Sequence, residues 1–233
     1  MEPIEADAGR GAALTRVLLI CGAIAGPFYL AVGLTQAFLR DGFDFGRHPL
    51  SVLANGPGGW IQTANFVLTG LMVIAAAVGL GRVPGRRSRG LTFFLSAFGL
   101  AMIVAAVFPA DPLDGFPPGT PKGPPETIST TGLIHFAAGG LGFLSLGISC
   151  FFAAWAMWRR RVSSLALLSL LSGLAVLIGF FGGIMSPIGI RGIWFAVVVG
   201  WAWLAVLSLR LNGLTKESDL RHHIPQSYER ARG

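Results

Sequence analysis

Residues 163–184 read SSLALLSLLSGLAVLIGFFGGI and contain no charged side chain. A helix of about 20 such residues crosses the roughly 30 Å hydrocarbon core of a bilayer. Similar stretches follow one another along the chain, at residues 17–38, 60–80, 91–108, 131–158 and 188–209. We therefore predict an all-α membrane protein built as a bundle of six transmembrane helices.

The composition agrees with a membrane protein and not with a soluble one. The chain is 53% hydrophobic and 12% charged, with a mean hydropathy of +0.65, whereas soluble domains carry about 25% charged residues. We predict one membrane domain over residues 17–211, preceded by a segment at 1–16 and followed by a polar tail at 212–233. The first ten residues, MEPIEADAGR, carry more acidic than basic side chains, whereas a signal peptide begins with a positively charged region. We therefore expect the first apolar stretch to stay as a helix and not to act as a cleaved signal peptide.

The basic residues alternate between the predicted connections. Fourteen of the 18 Lys and Arg residues lie at the two ends of the chain or in the second and fourth connections, and four lie on the opposite side. By the positive-inside rule this asymmetry places both termini in the cytoplasm. The basic residues of these segments account for the net charge of +7, and we expect them to contact membrane lipids. The charge therefore needs no nucleic-acid partner to explain it, and we expect none. Sixteen Arg against two Lys, with abundant Gly and Ala, suggests a GC-rich bacterial genome.

Polar residues gather at the end of the bundle that this topology places outside. Gln62, Asn65 and His135 fall in the outer thirds of their helices, and long Gly- and Pro-rich connections at 39–59 and 109–130 lie above them. Polar side chains are costly in a bilayer and tend to face the bundle interior. We predict one outward-facing polar pocket capped by the two connections, with these candidate ligand-binding residues: His48, Ser51, Gln62, Asn65, Asp111, Asp114, His135 and Arg191.

Four short motifs carry a family resemblance: HPLS at residues 48–51, GWIQxxNF at 59–66 followed by TG, FPADP at 108–112 and GLIH at 132–135. With these motifs, residues 13–211 resemble the DUF998 family of prokaryotic six-helix membrane proteins. The resemblance implies a six-helix bundle in the plasma membrane. It implies no activity, because the function of that family is unknown.

Three classes of function remain open. In the first, the pocket binds a lipid-like or small ligand, and His135 donates a hydrogen bond to a neighbouring helix or to Asp111. In the second, His48, Asp111 and His135 hold a zinc ion that activates water for hydrolysis of a lipid or lipid-linked substrate. In the third, the protein is a carrier, although the middle of the bilayer is nearly free of charge and the two halves show no clear repeat.

Binding is our leading prediction and metal-dependent hydrolysis is the alternative; the sequence leaves open whether the protein forms a homo-oligomer. Cys21 and Cys150 lie singly within predicted helices, and we interpret them as packing residues because they form no metal or redox spacing. We interpret the glycines of helix one, at 22, 26 and 33, as sites where helices pack closely. Trp201 and Trp203 are interpreted as packing residues, with a lipid- or partner-facing surface as the other reading.

Overall fold

A computed structural model describes residues 2–83, 88–185 and 189–222 of the chain. Its elements, in chain order, are α1 (Glu2–Leu39), a short 3-10 helix (Leu50–Ala54), α2 (Gly59–Arg82), α3 (Arg89–Val107), α4 (Thr130–Trp158), α5 (Ser163–Met185) and α6 (Ile190–His222). Within these ranges six helices are long and apolar enough to cross a membrane, which confirms the predicted all-α fold.

The boundaries of the first and last helices differ from the prediction. Helix α1 begins at Glu2 and not at residue 17, and α6 continues to His222, well past the predicted end at 209. The apolar pattern marks the part of a helix that lies in lipid, whereas backbone hydrogen bonding can continue into water wherever no proline or capping residue stops it. The predicted turn at 185–187 and the part of the tail after His222 fall largely outside the described residues.

The six helices form a closed ring. Each helix packs against its neighbours in the chain, and α6 returns to pack along α1. The connections 40–58 and 109–129 therefore meet at one end of the ring, here called the loop end. At the other end α2 ends, α3 begins and residues 159–162 join α4 to α5. We call it the basic end, because by sequence the connections 83–88 and 159–162 are rich in arginine.

Close helix contacts explain the glycines of α1. A Cβ atom at Gly22 would collide with Ser208 of α6 and Ala76 of α2, and one at Gly26 would collide with Trp201. Without a hydrophobic force between helices in lipid, such small residues allow backbones to approach and gain packing contacts. The interpretation of these glycines as packing sites is confirmed.

Large side chains fill the centre of the ring. Leu19, Val73, Leu95 and Leu204 are fully buried, and Trp201 and Trp203 are 5% and 1% exposed. The indole Nε1 of Trp203 donates a hydrogen bond of 3.0 Å to the Ser169 hydroxyl. Both tryptophans are thus packing residues, as the first of the two readings predicts.

Candidate functional site

The two long connections fold against each other as an ordered loop cap, defined here as residues 40–58 and 109–129. His48 is its central residue and is completely buried. Its Nδ1 accepts a hydrogen bond of 2.9 Å from the backbone N–H of Asp44, so the proton resides on Nε2, which lies 3.1 Å from the carbonyl oxygen of Asp114. Both ring nitrogens of His48 are therefore engaged, Nδ1 within its own connection and Nε2 with the other connection.

Aromatic rings and a guanidinium group complete the loop cap. The rings of Phe43 and Phe116 flank the His48 imidazole, with centroids 5.4 and 5.6 Å away. The Arg40 guanidinium lies 4.9 Å from the centre of the Phe116 ring and donates hydrogen bonds to the carbonyl oxygens of Leu53 and Asn55. Partial burial lowers the pKa of Arg40 from its usual value, but arginine remains charged at neutral pH.

Two acidic residues of the loop cap accept hydrogen bonds from backbone N–H groups of the loop cap itself. Asp114 accepts a hydrogen bond from the N–H of Gly123 at 3.1 Å and lies 3.7 Å from the Arg47 guanidinium. Asp44 is exposed and pairs with Arg47 at 2.9 Å. The hydrogen bond from the Gly46 N–H and the contact with Arg47 hold the pKa of the Asp44 carboxyl below its ordinary value.

Asp111 caps the start of α4. Its carboxylate accepts hydrogen bonds from the backbone N–H and the hydroxyl of Ser129. The Ser129 oxygen in turn accepts from the N–H of Gly132, in the first turn of α4. A negative charge at this position also complements the positive end of the helix dipole. Asp111 therefore orients and stabilises the N-terminus of α4.

A buried amide cluster joins α1 to α2. The Gln36 Nε2 group donates to Gln62 Oε1 at 3.0 Å, and the Asn65 Nδ2 group donates to the same oxygen and to the carbonyl oxygen of Tyr29. The Thr69 hydroxyl donates to Asn65 Oδ1 at 3.3 Å. These hydrogen bonds link the two helices, although Gln36 Oε1 and Gln62 Nε2 are buried without a hydrogen-bond partner among the described residues.

A cavity of about 150 Å³ lies inside the ring beneath the loop cap. Every one of the six helices and the 3-10 helix contributes to its walls. The lining is mostly aliphatic and aromatic, and it consists of Tyr29, Pro49, Leu50, Ser51, Phe66, Ala105, His135, Phe136, Gly139, Phe143, Phe180, Ile184, Ile193, Trp194 and Val197. We call it the loop-end cavity.

His135 presents one ring nitrogen to this cavity. Its Nδ1 lies 2.9 Å from the carbonyl oxygen of Phe108 and 3.2 Å from that of Ala105. Since carbonyl oxygens only accept, Nδ1 carries the proton and Nε2 of the neutral ring is an acceptor. The reading in which His135 bonds a neighbouring helix is thus the one observed. No hydrogen bond between His135 and Asp111 occurs within the described part of the chain.

Two other polar groups line the same cavity. The indole Nε1 of Trp194 is buried and has no hydrogen-bond partner among the described residues. The Ser51 hydroxyl lines the cavity from the 3-10 helix. With His135, the lining residues carry an acceptor, a donor and a hydroxyl group among mostly apolar side chains. This composition is typical of small-molecule sites.

From the helix contacts and side-chain exposures that follow, we infer that the cavity opens sideways between α4 and α5. Towards the basic end these helices touch, because a Cβ at Gly147 would collide with Leu177 and one at Gly173 with Phe151. Near the loop end a Cβ at Gly139 would meet only the tip of Phe180, at 3.9 Å. The lining side chains Phe136 and Ile184 are more than half exposed there. In a membrane this side of the ring faces acyl chains.

The expectation of one shared polar pocket needs correction. The structure places His48 and Asp114 in the centre of the loop cap, Asp111 beside the N-terminus of α4, and Gln62 and Asn65 in the amide cluster. Only Ser51 and His135 line the cavity. Arg191 is exposed at the start of α6, and no ion pair joins it to another described residue. Most of these polar groups have hydrogen-bond partners in separate parts of the loop end, whereas Gln62 Nε2 has none among the described residues.

The proposed zinc ligands are also divided among these places. The ring nitrogens of His48 are both engaged, Asp111 is held by Ser129, and His135 Nδ1 bonds α3. Among residues 2–83, 88–185 and 189–222 no three His, Cys, Asp or Glu side chains come together as metal ligands. The donor set therefore does not fit a zinc centre in this arrangement.

Three important residues were absent from the sequence-based site: Arg40, Ser129 and Trp194. Ser129 immediately precedes an apolar helix and could have been found as an N-cap. Arg40 and Trp194 gave no such local signal, since the groups that they face come from other parts of the chain.

Comparison with known proteins identifies one family. A family model described as a protein of unknown function, DUF998, matches residues 23–210 of the chain. No curated protein and no solved structure matches it.

Proposed function

The chain belongs to the DUF998 family, and since that family supplies no activity, we propose from the cavity itself that the protein binds a small, mainly apolar ligand. The observation that carries the proposal is the loop-end cavity, whose mostly apolar lining includes His135, Ser51 and Trp194, and the buried Trp194 N–H has no hydrogen-bond partner among the described residues. A buried donor without a partner costs about 1–3 kcal/mol, so a ligand oxygen that accepts from Trp194 would remove that cost.

The size and polarity of the cavity restrict the ligand. A volume of about 150 Å³ accommodates a group the size of a benzene ring and not a whole drug-sized molecule. None of the described residues that line the cavity is charged, which favours an uncharged polar group such as an alcohol, ester or amide. A lipid-like molecule could place this group and its first carbons in the cavity while the remaining chain extends between α4 and α5 into the bilayer.

Two neighbouring glycines of α4 provide the test. Gly139 lines the cavity, whereas a Cβ at Gly140 would meet nothing within 4 Å. The probe is a long-chain alcohol carrying a diazirine, added to the purified protein and cross-linked by light. We expect peptide adducts on α4 and α5 near the cavity, strongly reduced in Gly139→Leu and unchanged in Gly140→Leu.

Both variants make the same change in helix propensity and apolar volume, so a difference between them reports on the cavity. Equal labelling of the two, or adducts distributed over the whole lipid-facing surface, would refute the proposal. Native mass spectrometry of the same samples adds a readout without the probe: a co-purified small lipid should be lost in Gly139→Leu alone.

We propose further that the protein resides in a bacterial plasma membrane with the loop end outside and both termini in the cytoplasm. The distribution of Lys and Arg supports this orientation. An impermeant maleimide applied to intact cells should label Lys122→Cys in the loop cap and should not label Arg160→Cys at the basic end. The opposite labelling would invert the topology.

A further inference from the structure

A second depression in the surface lies at the basic end, far from the loop-end cavity. It is an open groove of about 960 Å³ between α2, α3 and α4. Arg82 and Arg89 lie at its rim, and its walls include Val78, Phe93, Phe152 and Trp155. We call it the basic groove.

Positive charge is concentrated on the rim. Arg82 ends α2 and Arg89 begins α3, so both lie where the helices leave the hydrocarbon core. The Arg82 Nε group donates to the Thr15 hydroxyl of α1 at 3.2 Å, which anchors that side chain. A third guanidinium, that of Arg159, lies 4.9 Å from the Trp155 ring. By sequence, residues 82–90 and 159–162 include no acidic residue.

The walls of the groove are apolar and face outwards from the bundle. Val78, Phe93 and Trp155 are 44%, 67% and 56% exposed. All three belong to helices that are long and apolar enough to span a membrane, so the medium around them is lipid. A tryptophan at this height is typical of the boundary between the headgroups and the acyl chains.

We infer that the basic groove binds one anionic phospholipid, with its phosphate at Arg82 and Arg89 and its acyl chains along Phe93 and Trp155. Charge complementarity identifies the headgroup, and the exposed rings identify the chains. Basic pockets between transmembrane helices recognise anionic headgroups in this manner, and guanidinium groups bind phosphate oxygens in pairs. This site is independent of the ligand proposed for the loop-end cavity.

The test compares two double variants with the same loss of charge at the same end of the bundle. Arg82→Gln with Arg89→Gln changes the rim of the groove. Arg160→Gln with Arg210→Gln changes two exposed arginines that do not line it. Native mass spectrometry measures the affinity of each purified protein for phosphatidylglycerol and for phosphatidylcholine.

We expect the unaltered protein and the Arg160/Arg210 variant to prefer phosphatidylglycerol. The Arg82/Arg89 variant should lose this preference, with about fivefold weaker binding of phosphatidylglycerol for each arginine removed. Equal losses in the two double variants would show only a general surface charge and would overturn the inference. The absence of any preference in the unaltered protein would also overturn it.

Two further measurements separate a lipid from a free phosphate. Phe93→Ala should weaken binding of phosphatidylglycerol, whereas Phe195→Ala, which removes an exposed ring on α6, should not. Inorganic phosphate at millimolar concentration should leave the bound lipid in place. Displacement by phosphate, together with indifference to Phe93→Ala, would identify an anion site and refute the lipid site. Thermal unfolding of every variant confirms that the fold is retained.

Discussion

The two buried histidines of the loop end have different roles although the residue type is the same. His48, in the loop cap, uses both ring nitrogens on backbone groups of two connections. His135, in the wall of the loop-end cavity, uses one nitrogen on α3 and turns the other towards the cavity. A buried histidine is therefore a candidate for ligand binding only when its second nitrogen lacks a partner, which the sequence does not reveal.

Removal of the His48 ring should have the largest effect on stability. His48→Ala leaves the Asp44 N–H and the Asp114 carbonyl without their partner and opens a void between Phe43 and Phe116. Lost hydrogen bonds and a void of this kind together cost about 3 kcal/mol. Thermal unfolding in detergent measures the loss, and His135→Ala is the comparison. If His135→Ala destabilises the protein as strongly as His48→Ala does, the proposed difference in role between the two histidines is wrong.

The amide cluster should behave like the loop cap and not like the cavity. Asn65→Leu replaces the amide by an apolar group of similar length and removes one hydrogen bond to the Tyr29 carbonyl of α1 and two within α2, with Gln62 and Thr69. Interhelical hydrogen bonds in membranes average about 0.6 kcal/mol each, with a maximum near 1.7, so with the two bonds within α2 we expect a loss of roughly 1–2 kcal/mol. Labelling by the photoreactive alcohol should remain at the level of the unaltered protein. Reduced labelling in a stable Asn65→Leu variant would show that the ligand site includes the amide cluster.

His135→Asn separates the two nitrogens of that ring. The asparagine Nδ2 group can replace Nδ1 as donor to the Phe108 carbonyl, but nothing replaces Nε2 in the cavity. We expect a change in unfolding free energy below about 1 kcal/mol and a roughly fivefold fall in photolabelling, as for one lost hydrogen bond. His135→Gln is the control, because its longer amide reaches the position of Nε2. Unchanged labelling in His135→Asn would assign this histidine to structure alone.

The smallest effect should come from pH at the loop cap. The folded-state pKa of Asp44 is lowered by the Gly46 N–H and by Arg47. Its contribution is therefore present above the unfolded pKa of about 4 and is lost as the pH falls through the lower folded value. We expect a slight fall in melting temperature at acid pH that Asp44→Asn abolishes. A dependence that persists in Asp44→Asn would point to another carboxylate of the loop cap.

Most of the fold could be predicted from the sequence, but only part of the site could. The apolar runs identified all six helices, because a membrane-spanning helix must be apolar along its whole length in lipid. The glycines at 22 and 26 indicated close packing for a similarly local reason. Of the residues predicted for one polar pocket, Ser51 and His135 line the loop-end cavity, while Asp111, Asn65 and Asp114 do not.

The sequence by itself determined the class of protein, the number of helices and the residue types whose burial in lipid is costly. These follow from the cost of exposing charge and backbone groups to lipid, which depends on residue type and position along the chain. Only the tertiary structure decided which partner each residue has. Asp111 meets Ser129 and His48 meets Asp114 across separations of 18 and 66 residues. Such pairings depend on how the ring of helices closes, and the same closure places Trp194 beside His135 to form the cavity.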